Sequence, residues 1–209
     1  MIRAFLLLLA LTLGVLAQNS TKPRTVIVFG DSITAGGAWV KQVEKESAGT
    51  LTLINEGKGG RPTNSVKEFE AMLQRHLKTD ALVIALGMND SRDITAECVP
   101  KAVANLRAMI EKARAAYGVK LPLLLVGPTN INKAALGPTK PIGDQREAKL
   151  RELSDAFAKL ATETHSEFVS LFGVVPDVAL LKDGVHPDAA GNAAIAKVMG
   201  ERMKSWLVD

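Results

Sequence analysis

Cysteine is almost absent: one residue in 209, Cys98. This excludes an intramolecular disulfide framework and a cysteine-built metal centre. The three histidines, His76, His165 and His186, stand far apart in sequence, so no metal site is expected, and no cofactor. Aromatic residues make up only 4% of the chain, which argues against a surface that stacks nucleic-acid bases. No block of like charge occurs. The net charge of +4 comes from Lys and Arg mixed with Glu and Asp along helical stretches, the pattern of a solvated surface rather than a nucleic-acid footprint. The Gly-Lys-Ser/Thr signature of a phosphate-binding loop is missing.

The longest apolar run, Ala4 to Ala17, is shorter than the ~20 residues of a membrane-spanning helix. Arg3 precedes it, and Val15 and Ala17 place small residues before Gln18. This is a secretory signal pattern. It predicts cleavage after Ala17, a secreted or periplasmic protein, no stable membrane anchor, and one domain over residues 18–209. A chain of that length can bury a single good core.

What is present is alternation. Strand-like runs TVIVF (25–29), LTLIN (51–55), ALVIALG (81–87), LPLLLVG (121–127) and EFVSLF (167–172) alternate with helical spacing over 38–49, 63–78, 95–117, 143–165 and 188–207. Thr63 and Asp144 are candidate N-caps and Gly118 a candidate C-cap. Five alternations predict an α/β fold, a parallel sheet covered by helices on both faces. The one long irregular segment, 127–143, follows a strand, so it belongs at the carboxyl edge, where open α/β sheets bind ligands.

Polar residues gather at that edge. The first strand runs into FGDS, the second into NEGKGGRP, the third into GMND, and a late loop reads DGVHP. These residue types suit acyl transfer. A serine hydroxyl needs an adjacent base, and His186 is the candidate to activate Ser32. Asp183, three residues earlier, can hold the imidazole tautomer and stabilise the imidazolium. Backbone N–H groups of Ser32 and Gly60 and the Asn89 amide can receive an oxyanion. A two-aspartate phosphatase would need a second acid at position 33, which is Ile33.

In order and spread, these four blocks resemble the SGNH hydrolases, the GDSL esterase and lipase family. The resemblance covers essentially the whole chain after the leader. It implies a three-layer αβα sandwich around a five-stranded parallel sheet, flavodoxin-like. It implies Ser32 as nucleophile, Gly60 and Asn89 as oxyanion donors with the Ser32 N–H, and Asp183 and His186 completing a triad. Ile33 stands where the older motif name has Leu, and Gly59 where a Ser is usual. Counting from Asn55 selects Gly60 over Gly57 and Gly59.

Other residues carry quieter expectations. Asp31 is read as stabilising the turn, and Asp90 as bonding loop backbone near the first block. Cys98 is read as a buried structural thiol, and His76 and His165 as helix-end residues. Trp39 and Arg61 are candidate substrate contacts, with core packing and solvent exposure as their alternatives. The polar loops favour a small acyl group on a carbohydrate or other polar alcohol. A lysophospholipase or thioesterase, its acyl groove walled by Leu136 and Ile142, is the alternative substrate class. A non-catalytic binding module is the non-enzyme reading. The expected partner is a small-molecule or carbohydrate ester, with no nucleic acid.

Overall fold

A computed structural model describes residues 22–136 and 143–207. The leader expected over 1–17 and Ile142 lie outside the described residues. Five strands form one sheet: β1 (Arg24–Gly30), β2 (Leu51–Gly57), β3 (Ala81–Ala85), β4 (Leu123–Gly127) and β5 (Glu167–Ser170). Their order is β2-β1-β3-β4-β5 and all pairs are parallel. This is the flavodoxin-like order, whose switch point lies between β1 and β3. The helices are α1 (Ser32–Ala35), α2 (Ala38–Glu46), α3 (Val66–Arg75), α4 (Cys98–Tyr117), α5 (Gly143–Glu163) and α6 (Ala189–Leu207).

Strand periodicity divides the core in two. Val26 and Val28 of β1 point to a cluster that includes Trp39, Val40 and Val43 of α2 and Ile195, Met199 and Met203 of α6. Ile27 and Phe29 point to the opposite cluster, with Phe69 and Met72 of α3, Leu106 and Met109 of α4, and Leu153 and Phe157 of α5. Central strands β1, β3 and β4 are buried on both faces, which explains their unbroken apolar runs. The edge strand β5 is only partly buried, in keeping with its weaker pattern.

Several helix starts differ from expectation. α3 begins at Val66, so Thr63 is no cap and instead pairs with Asp90. α5 begins at Gly143, which puts Asp144 inside the first turn, 2.8 Å from Lys133 Nζ. Leu136, read as a wall of an acyl groove, is buried in the core.

The ends of β1 and β2 approach α1 so closely that side chains are excluded. A Cβ on Gly57 would lie 2.2 Å from the Ala35 backbone nitrogen, and one on Gly30 2.2 Å from Thr34 Oγ1. Gly57→Ala is therefore expected to lower unfolding free energy by about 1–3 kcal/mol, measured by urea denaturation. Wild-type stability would contradict this packing.

Candidate active site

The strand ends carry the predicted blocks to one place. Asp31 follows β1 and caps α1, its Oδ1 accepting the Ile33 N–H at 3.0 Å. Ser32 is the first helical residue and is partly exposed. Its Oγ lies 2.8 Å from His186 Nε2, and His186 Nδ1 lies 2.6 Å from Asp183 Oδ2. The other Asp183 oxygen accepts the backbone N–H groups of Val185 (2.9 Å) and His186 (3.0 Å). Burial works to raise the Asp183 pKa, but these backbone bonds and the imidazole outweigh it and hold the carboxyl down at about 2. Asp183 thus remains a carboxylate that can orient an imidazole.

The histidine loop is braced by its neighbours. Leu181 donates its N–H to the His186 carbonyl at 2.7 Å, and the Asn132 N–H reaches the Gly184 carbonyl at 2.9 Å. Gly184 has φ +70, and a Cβ there would lie 2.5 Å from the Asn132 carbonyl oxygen. This is the part played by the described portion of the long loop after β4: it backs the triad loop.

Facing the serine are the glycine loop and the β3 loop. Arg61 donates its N–H to the Lys58 carbonyl at 3.3 Å, and Gly60, at the third turn position, has φ +73. A left-handed third position requires glycine in a type II turn. Gly60 is exposed, with open space where a Cβ would stand. Among the described residues neither the Ser32 nor the Gly60 N–H meets an acceptor. The Gly57 N–H is held by Asn55 Oδ1 at 2.8 Å and its strand end is closed against α1, whereas Gly60 stands at the exposed left-handed position of the turn. Asn89 Nδ2 donates to the Arg61 carbonyl at 3.2 Å. That bond uses one of its two hydrogens and leaves the other for a substrate.

Two expected substrate contacts are corrected. Arg61 is only 7% exposed. Its Nη1 donates to the Gly30 carbonyl at 2.8 Å and also to the Glu56 carbonyl, its Nε lies 3.2 Å from Glu68 Oε2, and its guanidinium stacks 3.9 Å from the Phe29 ring centroid. Trp39 is 2% exposed, packed on the core face of α2. Neither side chain is open to a ligand.

Asp90 is structural but grips the second block rather than the first. Its carboxylate accepts the Thr63 N–H at 3.0 and 3.1 Å and the Thr63 hydroxyl at 2.5 Å. Cys98 is buried, its thiol donating to the Asp90 carbonyl at 3.3 Å. Burial, aided by nearby carboxylates, pushes this thiol up to about 11, so it is no nucleophile at neutral pH. His76 sits at the end of α3 with Nε2 2.6 Å from Glu56 Oε1, and His165 follows α5 with φ +49.

The sequence profile of the GDSL-like lipase/acylhydrolase family matches residues 28–194. The chain belongs to that family and is an ester-bond hydrolase. Among solved structures it is similar to a protein described provisionally as an arylesterase from Agrobacterium tumefaciens, at 29% identity and TM-score 0.72, covering 88% of this chain and 100% of the other. It is similar also to a carbohydrate acetylesterase family member from Sinorhizobium meliloti (20% identity, TM-score 0.75, 88% and 99% covered). The aryl esterase of M. smegmatis matches at 20% identity and TM-score 0.75, with 88% and 100% covered. No curated protein sequence matches significantly.

Beneath the nucleophile, Asp31 is 4% exposed. Burial dominates and raises its pKa to about 7, against the Ile33 N–H bond and the His186 and Arg61 charges that lower it; Asp90 adds to the rise. A carboxyl with a raised folded pKa stabilises the fold fully below its unfolded value of 3.8, and this contribution is lost as pH rises to about 7. Asp31→Asn removes that slope and keeps an oxygen for the Ile33 N–H. Its thermal midpoint is therefore expected to gain on wild type as pH rises from about 4 to about 7. A difference that stays constant with pH would contradict the raised pKa.

Proposed function

We propose that the protein is a serine esterase that works through an acyl-enzyme and acts on small acyl groups, acetyl above all, carried by a carbohydrate or another polar alcohol. The observation that carries the mechanism is the contiguous relay Ser32–His186–Asp183, at 2.8 and 2.6 Å. His186 takes the Ser32 proton as Oγ attacks the ester carbonyl. The Ser32 and Gly60 N–H groups and the Asn89 amide receive the oxyanion. The imidazolium protonates the departing alcohol, leaving acyl-Ser32. His186 then deprotonates a water that attacks the acyl carbon, and its proton returns to Ser32 as the acid leaves.

Substrate class rests on the surroundings. A groove of about 620 Å³ lies beside Asn89, and Asn64, Arg92, Asp93, Lys101 and Asn105 place polar groups along it, although more of its surface is apolar than polar. Those side chains offer hydrogen-bond partners to a hydroxyl-bearing alcohol. Structures of the same fold include the carbohydrate acetylesterase from Sinorhizobium meliloti and an acetyl-xylooligosaccharide esterase from Geobacillus. The leader pattern over 1–17 supports export, in keeping with an extracytoplasmic carbohydrate ester. One observation favours the long-chain alternative: Val178 and Leu181, just before the His186 loop, are 91% and 49% exposed.

Turnover of p-nitrophenyl esters from acetate to palmitate tests both levels. The expected result is a steep fall beyond acetate. A long-chain preference would overturn the substrate reading. Ser32→Ala and His186→Ala are expected to lower kcat/KM by about 10³-fold or more, and Asn89→Ala to lower kcat by about 10²–10³. Near-native hydrolysis by Ser32→Ala would overturn the mechanism.

A further inference from the structure

Arg61 bonds to the ends of β1 and β2 through its buried side chain and to Asn89, after β3, through its backbone carbonyl. Through Nη1 it joins the last carbonyl of β1, Gly30, two residues before Ser32, to the Glu56 carbonyl near the end of β2. Through its own carbonyl it receives Asn89 Nδ2. Its backbone N–H closes the turn that sets Gly60 at φ +73. The guanidinium is held by Phe29 on one face and by Glu68, a partly exposed carboxylate on α3. Phe29 is itself buttressed edge-on by Phe69 at 5.0 Å.

We propose that Arg61 is a positioning residue for the oxyanion hole: its guanidinium fixes the Gly60 N–H and the Asn89 amide relative to Ser32. This rests on the serine-esterase reading above. The physical case lies in the fork geometry. One guanidinium nitrogen carries two hydrogens at a fixed angle, and here each meets a different carbonyl from a neighbouring strand end. A lysine ammonium lacks that planar fork and the stacking face that lies on Phe29. Preorganised donors matter most where charge develops, so loosening them should reach the transition state more than the bound ester.

The test is Arg61→Lys, with active sites counted by the burst from a p-nitrophenyl phosphonate and Ser32→Ala as a control that gives no burst. Per titrated site, kcat on p-nitrophenyl acetate is expected to fall by about 10-fold to 10²-fold, a partial loss of one donor. KM is expected to stay within about threefold, and the inhibition constant of phenylboronic acid, which forms a tetrahedral adduct on serine, to rise in step with the loss. Wild-type kcat per titrated site would overturn the proposal, because Arg61 would then serve only folding. A raised KM at wild-type kcat would overturn it too, because Arg61 would then bind substrate. A burst from Ser32→Ala would instead bring down the serine reading. Should Arg61→Lys fail to fold, Glu68→Gln decides, since it frees the guanidinium on its exposed side only. A kcat lowered by about threefold or more at unchanged KM keeps the assignment, and an unchanged kcat overturns it.

Discussion

The site depends on where three parallel strands stop. Gly30 pairs with Gly57 on one side and with Ala85 on the other, so β1, β2 and β3 end at one level. Whatever follows each strand is thereby brought together: Asp31-Ser32, the glycine loop, and the turn through Gly87 to Asn89. The register also sets the residue sizes. Glycine ends β1 and β2 because the chain turns straight into α1 and leaves no room for a Cβ beside Thr34 or Ala35. Gly87, at φ +111 and against the Phe157 ring, performs the corresponding turn after β3.

Holding polar groups at such an edge costs stability unless each is paired. The protein pairs them in layers beneath the reacting groups. Asp90 clamps Thr63 on one side of Pro62, and Arg61 clamps the strand ends on the other. The Arg146 guanidinium, 6% exposed, reaches Ser91 Oγ at 3.0 Å and so fixes the segment just after Asn89. Among the described residues, the Ser32 and Gly60 N–H groups and one Asn89 hydrogen keep unused capacity at this edge, as does the buried Thr129 hydroxyl beyond the end of β4. The triad histidine and aspartate are 39% and 41% exposed in their side chains, so the relay lies at the surface, open to ester and water alike.

Much of this was legible in the residues. Alternating apolar runs predicted five parallel strands, and the first and last blocks supplied the residues that meet as Ser32, His186 and Asp183. What was not legible came from contacts between loops distant in sequence. An arginine between glycine and proline reads as solvent-exposed, and only the convergence of β1, β2 and α3 makes a pocket for Arg61. Thr63 looks like a helix cap until Asp90, 27 residues away, claims it. Trp39 is a different case. It shares a helical face with Val40 and Val43, and that apolar stripe already pointed to the core.

The central claim is that the hydroxyl of Ser32 carries the acyl group through turnover. The most direct measurement is mass spectrometry of the protein quenched in acid during turnover of an acetyl ester, followed by proteolytic mapping. The account predicts one added acetyl group, located on the peptide containing Ser32 and absent when hydroxylamine is added before the quench. Steady turnover with no acylated Ser32 under any quench, or an acetyl group mapped to another residue, would contradict it.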